Sequence, residues 1–258
     1  MDLDIKIIVA THKAYWMHKD QVYLPIQLGK AIHTNLPYLG DDIGDNISDK
    51  QPYYSELTAI YWAWKNLKAD YIGINHYRRY FSREKLHFFG EANKNKLFTY
   101  NNFVDLLLKA PVILPKERNY YISSRKEQYK NSHNIRDLEV CREVLAELYP
   151  GYLDEFDKDM AKTHGHILNM FVMRRDIFCS YCTWLFDILF EVERRVDLSG
   201  YDEYQQRVFG YLAERLLDVW IEKNNISYVE ANYVVLEKVD WLNKIWKFIY
   251  RKIGNGGD

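Results

Sequence analysis

Cysteine is scarce in this chain: Cys141, Cys179 and Cys182 are the three among 258 residues. An odd count without dense spacing argues against a disulfide framework and fits a reducing compartment. Cys179 and Cys182 have a metal-like spacing, but no second Cys or His pair accompanies them. They fall in an apolar, helix-patterned run and read as packing residues. Charge of one sign is also lacking, since 35 Lys+Arg face 36 Asp+Glu. Without a basic excess, no nucleic-acid partner is expected. No apolar run is long enough to span a bilayer. Met1-Asp2-Leu3-Asp4 leads directly into a strand pattern with no signal-peptide character, so a cytoplasmic location is expected. A Walker-type loop, Gly-x-Gly-x-x-Gly, Gly-x-Ser-x-Gly and a zincin helix are all missing. There is no internal repeat, and low complexity is confined to the last five residues, Gly254 to Asp258.

What is present is a chain with 48% hydrophobic residues and 22 Tyr, 12 Phe and 7 Trp, enough for a sizeable core. Ile5 to Ala10 reads as a buried strand that ends in Thr11-His12-Lys13. Tyr71 to Ile74 reads as a second strand, running into Asn75-His76-Tyr77-Arg78-Arg79. In open α/β sheets ligands sit at the carboxyl ends of strands, and arginine forks there suit phosphate oxygens. The alternative for Arg78 and Arg79 is a pair of surface side chains with snorkelling stems. Residues 14 to 52 read as loop-rich, and Pro52 opens a helix over 53–67 with an apolar stripe of Leu57, Ile60, Tyr61, Trp64 and Leu67. Further helices are expected near 101–109, over most of 119–162, from an Asp176 cap to 196, and over 204–223. Strands are expected at 112–114, 169–173 and 227–236. The alternation gives an α/β fold with a mostly parallel, Rossmann-type central sheet flanked by helices and an inserted helical region at 119–162. One domain is expected over 1–238, followed by a C-terminal basic amphipathic helix and tail over 239–258.

Several side chains could carry chemistry. On the helix from 204, Glu203, Arg207, Gly210, Glu214 and Asp218 share a stripe, and Gly210 on that stripe suggests close approach of a ligand or a backbone. A solvated face is the alternative. Arg215 projects among apolar neighbours and so calls for an anionic partner. Glu56 is either a helix-dipole carboxylate or a ligand to a hydroxyl. His164 and His166 could share a strand face, though no third metal ligand stands at a telling spacing. No Asp-x-Asp follows Ile74; Asp41, Asp42 and Asp45 lie in a turn. The cations at 76, 78 and 79 could neutralise a diphosphate directly. No cofactor is therefore expected to be obligatory, with Mg2+ or Mn2+ left open. The last helical segment combines Trp241, Trp246 and Phe248 with Lys244, Lys247, Arg251 and Lys252, a pattern suited either to an anionic membrane surface or to ordinary packing.

The segments 6–13, 44–48, 54–58, 61–65, 73–81, 166–173 and 207–215 together resemble the DUF4422 family of bacterial capsule, exopolysaccharide and O-antigen loci. The resemblance runs from about residue 5 to 225. That family is similar to GT-A-type glycosyltransferases, and some members are associated with galactofuranosyl transfer. The resemblance implies a hexosyltransferase, galactosyl or galactofuranosyl, with a UDP-sugar donor and a lipid-linked glycan acceptor, peripheral on the inner face of the plasma membrane. On that reading Thr11, His12 and Lys13 line the donor end of the first strand, and His76, Arg78 and Arg79 hold the diphosphate. Glu214 is the general base, with Glu56 as its rival. Arg215 orients Glu214 or meets a phosphate, while His166, Asn169 and Arg207 contact sugar. No metal ligand is assigned. The alternative is a non-catalytic nucleotide- or carbohydrate-binding module of a polysaccharide assembly complex.

Overall fold

The structure is a computed structural model of the chain and describes residues 3–84 and 91–236. The terminal segment with Trp241, Trp246 and Phe248, the boundary drawn after 238, and residues 85–90 lie outside the described residues.

In chain order the elements are β1 (Ile5–Thr11), β2 (Tyr23–Gln27), β3 (Leu39–Gly40), α1 (Gln51–Tyr54), α2 (Leu57–Asn66), β4 (Tyr71–His76), β5 (Arg79–Ser82) and α3 (Tyr100–Leu107). There follow β6 (Val112–Pro115), β7 (Arg118–Asn119), α4 (Arg125–Lys130), α5 (Ile135–Leu148), α6 (Leu153–Ala161), β8 (His164–Gly165), β9 (Phe171–Arg174), α7 (Arg175–Arg195), α8 (Val208–Lys223) and β10 (Val229–Val235). The anticipated helices and strands are largely present. The Asp176 cap is not: Asp176 lies inside the first turn of α7 and grips Arg174 at 2.6 and 2.8 Å.

Eight strands form one sheet in the order β3-β2-β1-β4-β5-β10-β6-β9. The expected mostly parallel arrangement holds only for β3, β2, β1 and β4 and for the β10–β6 pair. Elsewhere pairing is antiparallel, and β9 bonds both β4 and β6, so the sheet is mixed and partly closed. The cause is local. Gly73 sits between Ile7 of β1 and Val172 of β9, and a Cβ there would lie 2.8 Å from the Phe171 carbonyl oxygen. A side chain at 73 would hold β9 off.

Alternation along the strands divides the core. Ile8, Ile72 and Ile74 face a helical layer built from α2, α5, α7 and α8, whereas Ile5, Ile7 and Val9 face Phe81, Phe103 and Ile113. Each such fully buried aliphatic side chain contributes about 1.5–3 kcal/mol of burial free energy. Two segments depart from the pattern. β2 falls within the stretch expected to be loop-rich and carries Pro25 in its middle, tolerated because β3 pairs only with Ile26 and Gln27 and leaves residue 25 without a partner on that side. The helix expected over 53–67 breaks at Ser55, whose φ is +53°. Tyr54 drives the break: its ring stacks on Phe209 at 4.5 Å and its hydroxyl donates to Glu193 at 3.1 Å. The helix resumes at Leu57, and Glu56, in the break, lies at the carboxyl ends of β1 and β4.

Candidate functional site

At those strand ends lies a cleft of about 400 Å³, lined by His12, Glu56, His76, Arg78, Arg79, Arg207 and Glu214 together with Tyr77, Tyr204 and Tyr211. Seven residues singled out from sequence thus converge from four separate stretches of chain. A wider hollow of about 760 Å³ opens at the opposite ends of the strands, around Asp4, Asp70 and Arg174. It also carries charge, from Asp4, Lys68, Asp70, Arg174, Arg175 and Asp176, with Arg174 paired to Asp176, but none of the catalytic or binding residues expected from the sequence lines it.

The cleft has two unlike walls. The strand side is cationic, with His12 after β1 and Arg78 and Arg79 after β4. Crowding shows in their proton affinities. Burial lowers Arg79, with Arg78 adding to the effect against Glu56 and Glu214. Burial also lowers His12, helped by Lys13, Arg78 and Arg207. The helix side is aromatic and acidic. Tyr211 of α8 stacks on His133 at 3.9 Å and its hydroxyl donates to the Tyr204 carbonyl at 3.0 Å. Arg207 bridges the walls, with Nε donating to the Ser55 hydroxyl at 2.9 Å.

Glu56 and Glu214 differ in environment. Burial pushes the Glu56 carboxyl up, but His76, the Asn169 amide and Arg207 outweigh it and leave it below the usual range. Glu214 is raised by burial, and Glu56 reinforces the rise while Arg215 opposes it. Two carboxylates pushed in opposite directions can divide acid and base roles. His76 is lowered by burial and by Arg79, against Glu56. Its Nε2 lies 2.7 Å from the Leu168 carbonyl, which can only accept, so Nε2 carries a proton.

One short segment organises the acidic side; Asn169 was expected to contact sugar at the start of a strand, and the turn that holds it was not foreseen. Leu168 and Asn169 both have positive φ, +82° and +47°, a backbone costing roughly 1–3 kcal/mol per non-glycine residue. This turn aims the Leu168 N–H at Glu214 Oε1 at 3.1 Å and the Asn169 amide at Glu56 Oε1 at 2.7 Å. Asparagine's tolerance of the left-handed region was the available signal.

Five of the residues given a site role from the sequence lie off the cleft lining. Thr11 is fully buried and its hydroxyl donates to the Lys13 carbonyl at 2.6 Å. Lys13 sits over the Tyr77 ring at 5.1 Å. Asn169 is buried behind Glu56. Arg215 is buried against Gln128 and Tyr129, with no carboxylate paired to it among the described residues. His166 belongs to an ion cluster beneath the site. Its Nδ1 meets Asp218 Oδ1 at 2.5 Å, Asp218 pairs with Arg125, and Arg125 Nε lies 3.0 Å from Asp159. Asp218 outweighs burial and raises His166. Arg125 is fully buried and Nη2 also donates to the Glu214 carbonyl at 3.1 Å. Gly210 contributes its carbonyl, which accepts from Asn169 at 3.0 Å. A methyl group there would meet Ser55 Cβ at an ordinary 3.6 Å, so the close approach expected at Gly210 does not require glycine. Among the described residues, no group of three or more His, Cys, Asp or Glu is placed to hold a metal ion, and no helix is long and apolar enough to cross a membrane.

A family described as a domain of unknown function, DUF4422, matches residues 6–225. Among solved structures, the chain is similar to one titled as the apo structure of the WbbM bifunctional glycosyltransferase, at 31% identity and a TM-score of 0.85. The match covers 91% of this chain and 46% of that one, so the chain spans under half the length of its structural relative. No curated protein matches.

Proposed function

The chain belongs to the DUF4422 family, and from that premise we propose that it is a glycosyltransferase of bacterial surface-polysaccharide synthesis. It moves a hexosyl group, galactosyl or galactofuranosyl, from a UDP-sugar to a lipid-linked glycan. The likeness to a bifunctional glycosyltransferase supports the reaction class. The observation that carries the reading is the division of one cleft into a cationic wall and a floor with two oppositely perturbed carboxylates.

Arg78 and Arg79 take the diphosphate, with His12 at its edge. Their charge opposes the negative charge that grows on the leaving phosphate as the glycosidic bond breaks. Glu214 accepts the acceptor hydroxyl's proton while that oxygen attacks the anomeric carbon, and UDP departs. A raised carboxyl suits this task because a base works best with a proton affinity near the working pH. Glu56, held ionised, steadies positive charge developing on the sugar ring. The guanidinium groups supply diphosphate neutralisation that a divalent ion supplies elsewhere, and assays with and without EDTA address Mg2+ or Mn2+.

The test uses a panel of nucleotide sugars in thermal shift, followed by transfer assays. Arg79→Ala is expected to weaken UDP binding about tenfold or more, the loss of a charge-assisted pair. Glu214→Gln should keep UDP binding and lose transfer by about 10²–10⁴-fold. Full transfer by Glu214→Gln removes that residue's role. No donor hydrolysis or transfer with any sugar, together with intact UDP binding, would instead indicate a non-catalytic binding module.

A further inference from the structure

Asn169 stands where a sugar-binding amide was expected, yet its hydrogen bonds run elsewhere. It is 2% exposed. One amide hydrogen goes to Glu56 Oε1 at 2.7 Å and the other to the Gly210 carbonyl at 3.0 Å. A carbonyl only accepts, which fixes the nitrogen towards both partners and makes Glu56 Oε1 an acceptor. Both donors are used, so none remains for a ligand. The amide reaches Glu56 because the backbone at 168 and 169 is left-handed, and that turn is tied down two residues earlier. There the His166 N–H donates to Asp218 Oδ2 at 2.9 Å.

We propose that Asn169 is a positioning residue: it fixes Glu56 as a hydrogen-bond acceptor on the cleft floor beside Glu214, and its amide hydrogens are spent on that task rather than on nucleotide or sugar. The role of Glu56 in transfer rests on the reading above; the placement of its carboxylate by Asn169 does not. The charged and titratable groups that face Glu56 are His76 from β4, Arg79 from β5, Arg207 ahead of α8 and Glu214 from α8. Asn169 adds the only direct side-chain hydrogen bond to Glu56 recorded among the described residues.

Thermal unfolding between about pH 7.5 and about pH 3, a range that reaches below the ordinary carboxylate value because Glu56 is held under it, tests this on the full chain, comparing Asn169→Gly with the parent, each also in a Glu56→Gln background. Glycine keeps the positive φ and deletes the amide. An ionised Glu56 loses more than a protonated one when its donor is removed. The drop in Tm is therefore expected to be about twofold larger at the upper pH than at the lower. In the Glu56→Gln background the drop should not vary with pH. An equal drop at every pH in both backgrounds would overturn the proposal and leave Asn169 as a support for the Gly210 carbonyl. If Asn169→Gly does not fold, Asn169→Asp replaces it. A second carboxylate facing Glu56 should make Tm fall more steeply with rising pH than in the parent, and a constant offset overturns the proposal. UDP added to the same samples separates the two readings. An unchanged UDP-induced rise in Asn169→Gly supports positioning, and its selective loss in the variant overturns it. A rise absent from both proteins sinks the nucleotide-sugar reading and leaves the pH result standing.

Discussion

Replacing Gly165 by alanine strikes the ion cluster beneath the cleft at a position that does not itself line the cleft. A Cβ at Gly165 would lie 1.3 Å from Arg125 Nη1 and 2.8 Å from Asp218 Oδ2. An exposed arginine would swing aside at little cost. Arg125 is fully buried, and moving its guanidinium breaks the pair with Asp218, the 3.0 Å contact with Asp159 and the 3.1 Å bond to the Glu214 carbonyl. Breaking a buried pair while its carboxylates stay behind costs about 3–5 kcal/mol. At about 2–4 °C per kcal/mol for a domain of this size, Tm should fall by about 6–20 °C. Gly151→Ala is the control, because a Cβ there meets nothing within 4 Å, and its Tm should stay close to the parent's. Calorimetry on both variants and on Arg125→Met, alone and combined with Gly165→Ala, separates the causes. The double variant should be little worse than Arg125→Met, since the two changes remove one interaction. A Gly165→Ala Tm within about 2 °C of the parent, or fully additive losses, refutes the reasoning.

The same cluster makes stability depend on pH. Burial pushes the Asp159 carboxyl up to about 7 from an ordinary 3.8, with Asp218 and Glu222 adding to the rise against Arg125 and Lys162. A folded value above the unfolded one gives stability that is complete below about pH 4 and lost as pH rises through 7. Asp159→Asn removes that loss, so urea unfolding should show the variant faring better against the parent at pH 8 than at pH 5; equal differences would refute it. Arg215 offers a contrasting case. Its Nε and Nη1 have no hydrogen-bond acceptor among the described residues, and a buried charge without a carboxylate stabilises poorly, so Arg215→Met should change stability by less than about 1 kcal/mol. Removing the cation should also raise Glu214 further, moving the acid limb of the pH–rate profile upward, and an unmoved profile counts against Glu214 as base.

Much of the cleft was legible because its parts are local. Apolar runs ending in polar triplets identified β1 and β4, and helical spacing placed Arg207 and Glu214 on one stripe. What could not be read depends on contacts between distant segments. The break at Ser55 follows from Tyr54 packing on Phe209, a preference that no local rule contains. β9 was foreseen as a strand, but its double antiparallel pairing depends on Gly73 facing Val172. His166 and Arg215 looked alike as candidate ligands. Their burial behind the cleft was decided by Asp218 in one case and by Gln128 and Tyr129 in the other. Arg125 attracted no notice, because a lone arginine opening a polar helix gives no hint that it will be sealed in.

The Arg125 cluster acts as a rivet. It fastens α4 and α6, through Arg125 and Asp159, to the same stretch of α8 that presents Glu214. A graft of residues 119–162 from a relative would therefore arrive with its own half of the fastening, and a mismatched half would tilt the carboxylate as well as loosen the graft. Variation in substrate preference across the family should then travel in linked sets, with positions 125, 159, 165 and 218 changing together or not at all.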